Sequence, residues 1–236
     1  MTDTIFFDVG NTLRIVIKDK EFSDAAEREL MELVGATEPH DVFFAKLQAR
    51  WEAYRKMVKT TLLDAGEMEL WSQYLLPDYD PERVCANAGR LTRLWRDHDG
   101  RRVPRDDVKS TILELDRRGY TLGIIANTIT ETEIPDWMIS DGVAHYFKAV
   151  ILSSKVRLRK PDPEIFQLAI DKLHLDPKDI TVIGDSYKKD IEPARELGCN
   201  AIWLRGSSWD NSDSAIEYEP TVTSLLQLFD MLQKNA

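Results

Sequence analysis

Five short apolar runs interrupt an otherwise polar or amphipathic chain: Thr4 to Val9, Thr121 to Ala126, Ala149 to Leu152, Ile180 to Gly184 and Ala201 to Leu204. None alternates apolar with polar positions, so each reads as a strand buried on both faces. Helix-like stretches follow four of the five. That order predicts an α/β fold, a doubly wound parallel sheet of Rossmann-like type with helices on both sides. Asp162-Pro163-Glu164 supplies a cap, a first-turn proline and an acidic first turn, after which Ile165, Phe166, Ala169 and Leu173 form one apolar stripe. Asp107 to Arg118 turns Val108, Ile112 and Leu115 inward and places Gly119 where a C-terminal cap belongs. Tyr187 to Leu197 reads as a third covering helix, closed by Gly198.

Between the first two strands, from Glu21 to Gly100, the pattern changes to helix formers with no convincing strand. Apolar residues recur at helical spacing in Leu30, Leu33 and Val34, and again in Phe44, Leu47, Trp51 and Tyr54, while Asp80-Pro81-Glu82 starts a helix through Trp95. This predicts an all-helical insertion over residues 19–100, set over one end of a core made of residues 1–18 and 101–236. Leu13 to Ile17, broken by Lys18-Asp19-Lys20, reads as a hairpin leading the chain out of the core. Trp51, Trp71 and Trp95 fall within the helical pattern and read as packing residues of the insertion. Gly206 to Ser214 reads as a polar loop, and no internal repeat is present.

Composition narrows the partners. With 31 Lys+Arg against 41 Asp+Glu, the formal charge of −10 repels a nucleic-acid backbone. No apolar run approaches the roughly 20 residues that cross a bilayer, and the first residues lack the basic stretch of a signal peptide, so a soluble, cytoplasmic protein is expected. No feature fixes an oligomeric state. Cys85 and Cys199 are far apart with no metal or disulfide spacing and read as small buried hydrophobes; the four histidines carry no metal spacing either.

The chemistry lies where polar residues meet strand ends. In an open parallel sheet the ligand crevice sits outside the carboxyl ends of the strands. Asp8 closes the first strand, Asn127 follows the second, Asp185 follows the fourth, Lys160 lies between the third strand and its helix, and Asp190 comes one turn after Asp185. Singly, each has an ordinary reading as a cap, a dipole partner or a solvated lysine. Jointly, they predict one site. Three carboxylates drawn together need raised pKa values or a metal, and oxygen donors of this kind suit Mg²⁺. A cation beside Lys160 forms an anion site, as phosphoryl transfer requires. The neighbouring basic residues Lys155, Arg157 and Arg159 read as a solvated loop.

These residues carry a resemblance. Phe6-Phe7-Asp8-Val9-Gly10-Asn11-Thr12-Leu13 resembles the first motif of the haloacid dehalogenase superfamily, Leu122 to Thr128 its second, Lys160-Pro161-Asp162-Pro163-Glu164-Ile165-Phe166 its third, and Gly184-Asp185-Ser186 with Asp190 its fourth. The helical insertion resembles the family's type 1 cap. The resemblance implies a hydrolase acting on a small phosphorylated metabolite, with Asp8 as the nucleophile that forms an aspartyl-phosphate and Lys160 steadying it. It also implies Mg²⁺ held by Asp8, the Gly10 carbonyl, Asp185 and Asp190, with Asn11, Asn127 and the amides around Gly10 on the phosphate. Two positions depart from the pattern: Gly10 replaces the family's acid/base aspartate, and Ala126 replaces a hydroxyl residue, for which Thr128 is the nearest substitute. The departures leave three readings: a phosphohydrolase slowed or restricted by Gly10, a carbon–halogen hydrolase, and a catalytically impaired binding protein on the same fold.

Overall fold

The computed structural model describes residues 3–206, 213 and 215–232. Most of the polar stretch from Gly206 to Ser214 lies outside the described residues.

In chain order the elements begin with β1 (Thr4–Phe7), β2 (Arg14–Ile17), α1 (Lys20–Val34), α2 (His40–Thr61) and α3 (Glu67–Glu69), which runs on as a π-helical turn over Leu70–Leu75. There follow α4 (Pro81–Asp97), β3 (Arg101–Pro104), α5 (Val108–Arg117), β4 (Thr121–Ala126), α6 (Glu133–Ser140), β5 (Phe147–Leu152), α7 (Ser153–Val156) and α8 (Pro163–Leu173). The chain ends with β6 (Ile180–Gly184), a π-helical turn over Tyr187–Ile191, α9 (Glu192–Glu196), β7 (Asn200–Leu204), β8 (Thr221–Val222) and α10 (Leu228–Met231). Six strands form one parallel sheet in the order β5-β4-β1-β6-β7-β8. The expected α/β fold is present, with each apolar run at or within two residues of its expected strand.

Both faces of the sheet are apolar because successive side chains of each strand point to opposite sides. Ile5 and Phe7 join Leu122, Ile124 and Ile183 against Val108, Ile112 and Leu115 of α5. Phe6 points the other way, with Ile125, Ile151 and Val182, against Ile165, Phe166 and Ala169 of α8. Gly123 of β4 is needed for this packing, since a Cβ there would lie 2.2 Å from the Phe6 ring. The helical segment has its own apolar cluster, including Leu30, Phe43, Leu47, Trp71 and Leu91, joined by Ile129 from the loop after β4.

Three features differ from the sequence reading. β2 does not close a local hairpin: it pairs antiparallel with β3, from Arg14 opposite Pro104 to Ile17 opposite Arg101, so the helical segment leaves and returns along one ribbon. The ribbon's return needs Gly100 at φ +125, where a Cβ would meet the Ile17 carbonyl oxygen at 2.4 Å. The helix expected over Tyr187 to Leu197 is split into the π-helical turn and α9. Pro193 near the start of α9 explains the break, because proline has no N–H for the preceding turn. The sheet also gains β8, two residues long, too short to carry a pattern. Of the cysteines, Cys199 is buried as expected and Cys85 is half-buried.

Candidate active site

β1 lies between β4 and β6, the point in the strand order from which the chain winds outward in both directions. The loops after these strands bring Asp8, Asn127 and Asp185 to one carboxyl edge. Asp8 extends its strand through an N–H to Ile183 O hydrogen bond of 2.9 Å. One carboxylate oxygen from each of Asp8, Asp185 and Asp190 lies within 4.8 Å of the others.

Lys160 closes the group from below. Its ammonium donates to Asp8 Oδ1 at 2.7 Å, to Asp190 Oδ1 at 2.5 Å and to the Ile125 carbonyl at 2.8 Å, and the residue is 3 % exposed. The lysine is held in turn by Asn127, whose Oδ1 accepts from Lys160 N and whose Nδ2 donates to Lys160 O, both at 2.8 Å. Sequence reading assigned Asn127 to phosphate oxygens; in the structure its amide is engaged at both ends with the Lys160 backbone. Asp190 is likewise engaged on both oxygens, with Ser186 N donating to Oδ2 at 3.1 Å. Its carboxylate fits because residue 184 is glycine: a Cβ at Gly184 would sit 2.4 Å from the Asp190 carboxyl carbon.

The first loop is shaped around the same group. Asn11 adopts φ 59, a left-handed conformation that asparagine tolerates. Its N–H bonds Arg14 O at 2.7 Å, and its side chain donates to Asp185 Oδ2 at 3.1 Å. Thr12, fully buried, donates to Asp8 Oδ2 at 3.1 Å, a contact that sequence reading missed although threonine belongs to the first motif. Gly10 is exposed, and a Cβ built on it would meet nothing within 4 Å. Thr128 lies at the cavity wall, but its Oγ1 accepts from Thr130 N at 3.2 Å and so is part of its own turn.

Electrostatically the site is short of positive charge. Burial, then repulsion from Asp8 and Asp190, pushes the Asp185 carboxyl well above the usual carboxylate range. Burial pushes Asp190 up too, against the pull of Lys160. Burial by itself would lower the Lys160 ammonium, yet Asp190 and Asp8 outweigh it and hold it above the ordinary lysine range. Three carboxylates and one ammonium leave a surplus of anionic oxygen. That donor set fits a hard divalent cation such as Mg²⁺.

Above this floor lies space bounded by the helical segment. A cavity of about 210 Å³ is lined by Gly10, Asn11, Asn127, Arg14, Arg96 and Arg102 among others. A second, of about 360 Å³, shares Arg96, Arg102 and Asn127 and extends to Trp51, Trp95 and His98. Trp71 is packing, as expected, but Trp51 and Trp95 also line this space, and His98 stacks on Trp95 with ring centroids 4.1 Å apart. Arg157 is exposed as expected, but Arg159 is not part of a solvated loop. Arg159 pairs with buried Asp64 at 2.7 Å, Arg157 pairs with Glu69, and Leu62 to Asp64 bonds the backbone of 157–159. These contacts tie the helical segment to the loop that carries Lys160. Sequence reading missed them because their partners lie more than eighty residues away, with no local signal.

Comparison with known proteins gives the same grouping. The chain is 27% identical over 245 residues to glyceraldehyde 3-phosphate phosphatase of Methanocaldococcus jannaschii, covering 99% of this chain and 98% of that one. It is 26% identical over 208 residues to phosphoserine phosphatase of Thermus thermophilus, covering 75% and 81%. Among solved structures, 2-haloacid dehalogenase from Pseudomonas syringae shares the fold with a TM-score of 0.69 at 20% identity, covering 98% and 97%. The family model for haloacid dehalogenase-like hydrolases matches residues 2–198, four-fifths of the chain and all of the site. The chain belongs to the haloacid dehalogenase-like hydrolase family.

Proposed function

We propose that this protein is a phosphohydrolase that uses Asp8 as its nucleophile on a small phosphorylated metabolite. The observation that carries the reading is the convergence of Asp8, Asp185 and Asp190 within 4.8 Å, with the buried ammonium of Lys160 bridging Asp8 and Asp190. Two relatives that match it over most of their length are named as phosphatases. On this reading Asp8, the Gly10 carbonyl and Asp185 hold Mg²⁺, and Asp190 supports the group from behind through Lys160 and Ser186. When bound, the cation supplies positive charge that offsets the phosphoryl oxygens.

The chain's own residues do the rest. Lys160 and Thr12 fix the two oxygens of Asp8, so the carboxylate is oriented before substrate arrives. A carboxylate oxygen of Asp8 attacks phosphorus, the phosphorus bond to the leaving oxygen breaks, and the leaving group departs as an anion that takes its proton from solvent. Water then attacks the aspartyl-phosphate, inorganic phosphate leaves, and Asp8 is regenerated. Gly10 offers no side chain to deliver or accept a proton in either step. Such a group contributes on the order of 10² to 10⁴ in rate, so the reading favours substrates whose leaving group needs little protonation, such as acyl phosphates. Residues 19–100 act as a cap that screens the reaction from water and shapes the pocket.

The carboxylate cluster favours phosphoryl chemistry over a carbon–halogen reaction, which has no use for a cation site. Phosphate release from acetyl phosphate tests the reading. Turnover that requires Mg²⁺ and disappears in Asp8→Asn is expected. Metal-independent chloride release from a 2-haloacid, without phosphate release, would instead establish the dehalogenase.

A further inference from the structure

The three arginines of the smaller cavity are the feature that phosphate hydrolysis alone does not use. Arg14, four residues beyond Gly10, is nine-tenths buried, with its side chain 10% exposed. Its Nη1 donates to Glu133 Oε1 and its Nη2 to the Arg102 carbonyl, both at 2.7 Å. Its Nε has no partner. Among the described residues it is the one buried side-chain nitrogen or oxygen left without a hydrogen bond. A buried charged donor without an acceptor costs stability, so an acceptor supplied from outside the protein explains its retention.

The charges point the same way. Glu133, 5% exposed, serves all three guanidinium groups: Arg14, Arg96 at 2.7 Å and Arg102 at 3.8 Å. The other carboxylates near them are Asp99, half-exposed and 3.5 Å from Arg102, and Asp97, half-buried. Three arginines and no carboxylate line the smaller cavity itself, which leaves its wall positive. Arg96 bonds Glu133 through Nε, and its two terminal nitrogens have no acceptor among the described residues. Arg102 is spent on Glu133, Asp99 and the Arg96 carbonyl. Arg14 and Arg96 therefore hold the free donors. They share a cavity of about 210 Å³ with Gly10, Asn11 and Asn127. Arg14 and Arg96 thus line the same small space as the first loop of the site.

Resting on the phosphohydrolase reading, we infer that the substrate carries a second anionic group, a carboxylate or a further phosphoryl, received by Arg14 and Arg96 while its reacting phosphate lies over Asp8. A fork of guanidinium nitrogens matches the paired oxygens of either group. A volume below the roughly 300 Å³ where sites for drug-sized ligands begin suits a metabolite of a few carbons. The same positive wall disfavours a cationic substituent at that end.

The test compares matched probes. Wild-type protein with Mg²⁺ is assayed on 2-phosphoglycolate, ethyl phosphate and glycerol 1,3-bisphosphate, with acetyl phosphate as the reference substrate. The probes with a second anionic group are expected to exceed ethyl phosphate about tenfold or more in kcat/KM, chiefly through KM, and their ranking separates carboxylate from phosphoryl. Arg96→Gln, at a residue a quarter exposed, is expected to bring the ratio toward one. Arg14→Lys keeps the charge opposite Glu133 but loses the fork, and is expected to lower the ratio as well. Calorimetric titration of 2-phosphoglycolate and ethyl phosphate into Asp8→Asn repeats the comparison without turnover. Equal affinities and equal kcat/KM overturn the inference and leave the phosphohydrolase standing. No phosphate release from any probe sinks the phosphohydrolase reading, and the titration alone then decides the preference for a second anion.

Discussion

Replacing Glu133 by Gln removes the single buried anion that holds three arginines together. Burial alone would raise the Glu133 carboxyl, but Arg96, Arg102 and Arg14 overcome it and draw it from 4.5 down to about 2. A shift of about 2.5 units corresponds to roughly 3 kcal/mol of stability at neutral pH. The group is almost fully buried, so solvent screening removes little of this. Because the folded value lies below the unfolded one, the contribution is complete above pH 4.5 and declines as pH falls toward 2. Urea unfolding of wild type and Glu133→Gln at a series of pH values isolates it, since other titrating groups cancel in the difference. The variant is expected to be about 3 kcal/mol less stable at pH 7, with roughly 2 kcal/mol of that gap gone at pH 3. A gap below about 1 kcal/mol at pH 7, or one that stays constant down to pH 3, refutes the account of the cluster.

Two further substitutions probe the floor of the site. Gly10→Asp enters open space, with nothing within 4 Å of the new Cβ, and restores a proton donor. Turnover of ethyl phosphate is expected to rise about 10²-fold, and an unchanged rate would place the obstacle at Ala126 or in the cap. Gly184→Ala forces a Cβ to 2.4 Å from the Asp190 carboxyl carbon, which must move off Lys160. Loss of Mg²⁺-dependent phosphate release together with a stability loss of about 1–3 kcal/mol is expected, and full activity would show that Asp190 is dispensable.

The sheet was legible because its strands are short apolar runs bounded by helix caps and glycines, a local signal that survives without tertiary knowledge. Asp162-Pro163-Glu164 starts α8 as read, with Asp162 accepting from Glu164 N. Asp107 shows the limit of such reading. It precedes α5 as expected, yet its carboxylate accepts from Ser224 and from Leu225 N rather than from its own helix. Likewise the ends of β2 reveal an excursion from the core but not that its partner is β3, because pairing across the whole helical segment leaves no mark in either strand.

By itself, the sequence determined which residues stand at strand tips, and so that Asp8, Lys160, Asp185 and Asp190 share one edge. Strand ends and loop positions follow from local pattern, and a parallel sheet aligns them. Only the tertiary structure decided what each side chain does there: that Asn127 grips the Lys160 backbone, that Arg159 clasps Asp64, and that Arg14 meets Glu133 with one donor unspent. Those assignments depend on distance and direction between residues up to 119 positions apart. Hydrogen bonds and buried charges fall off within a few ångströms, so no pattern along the chain encodes them.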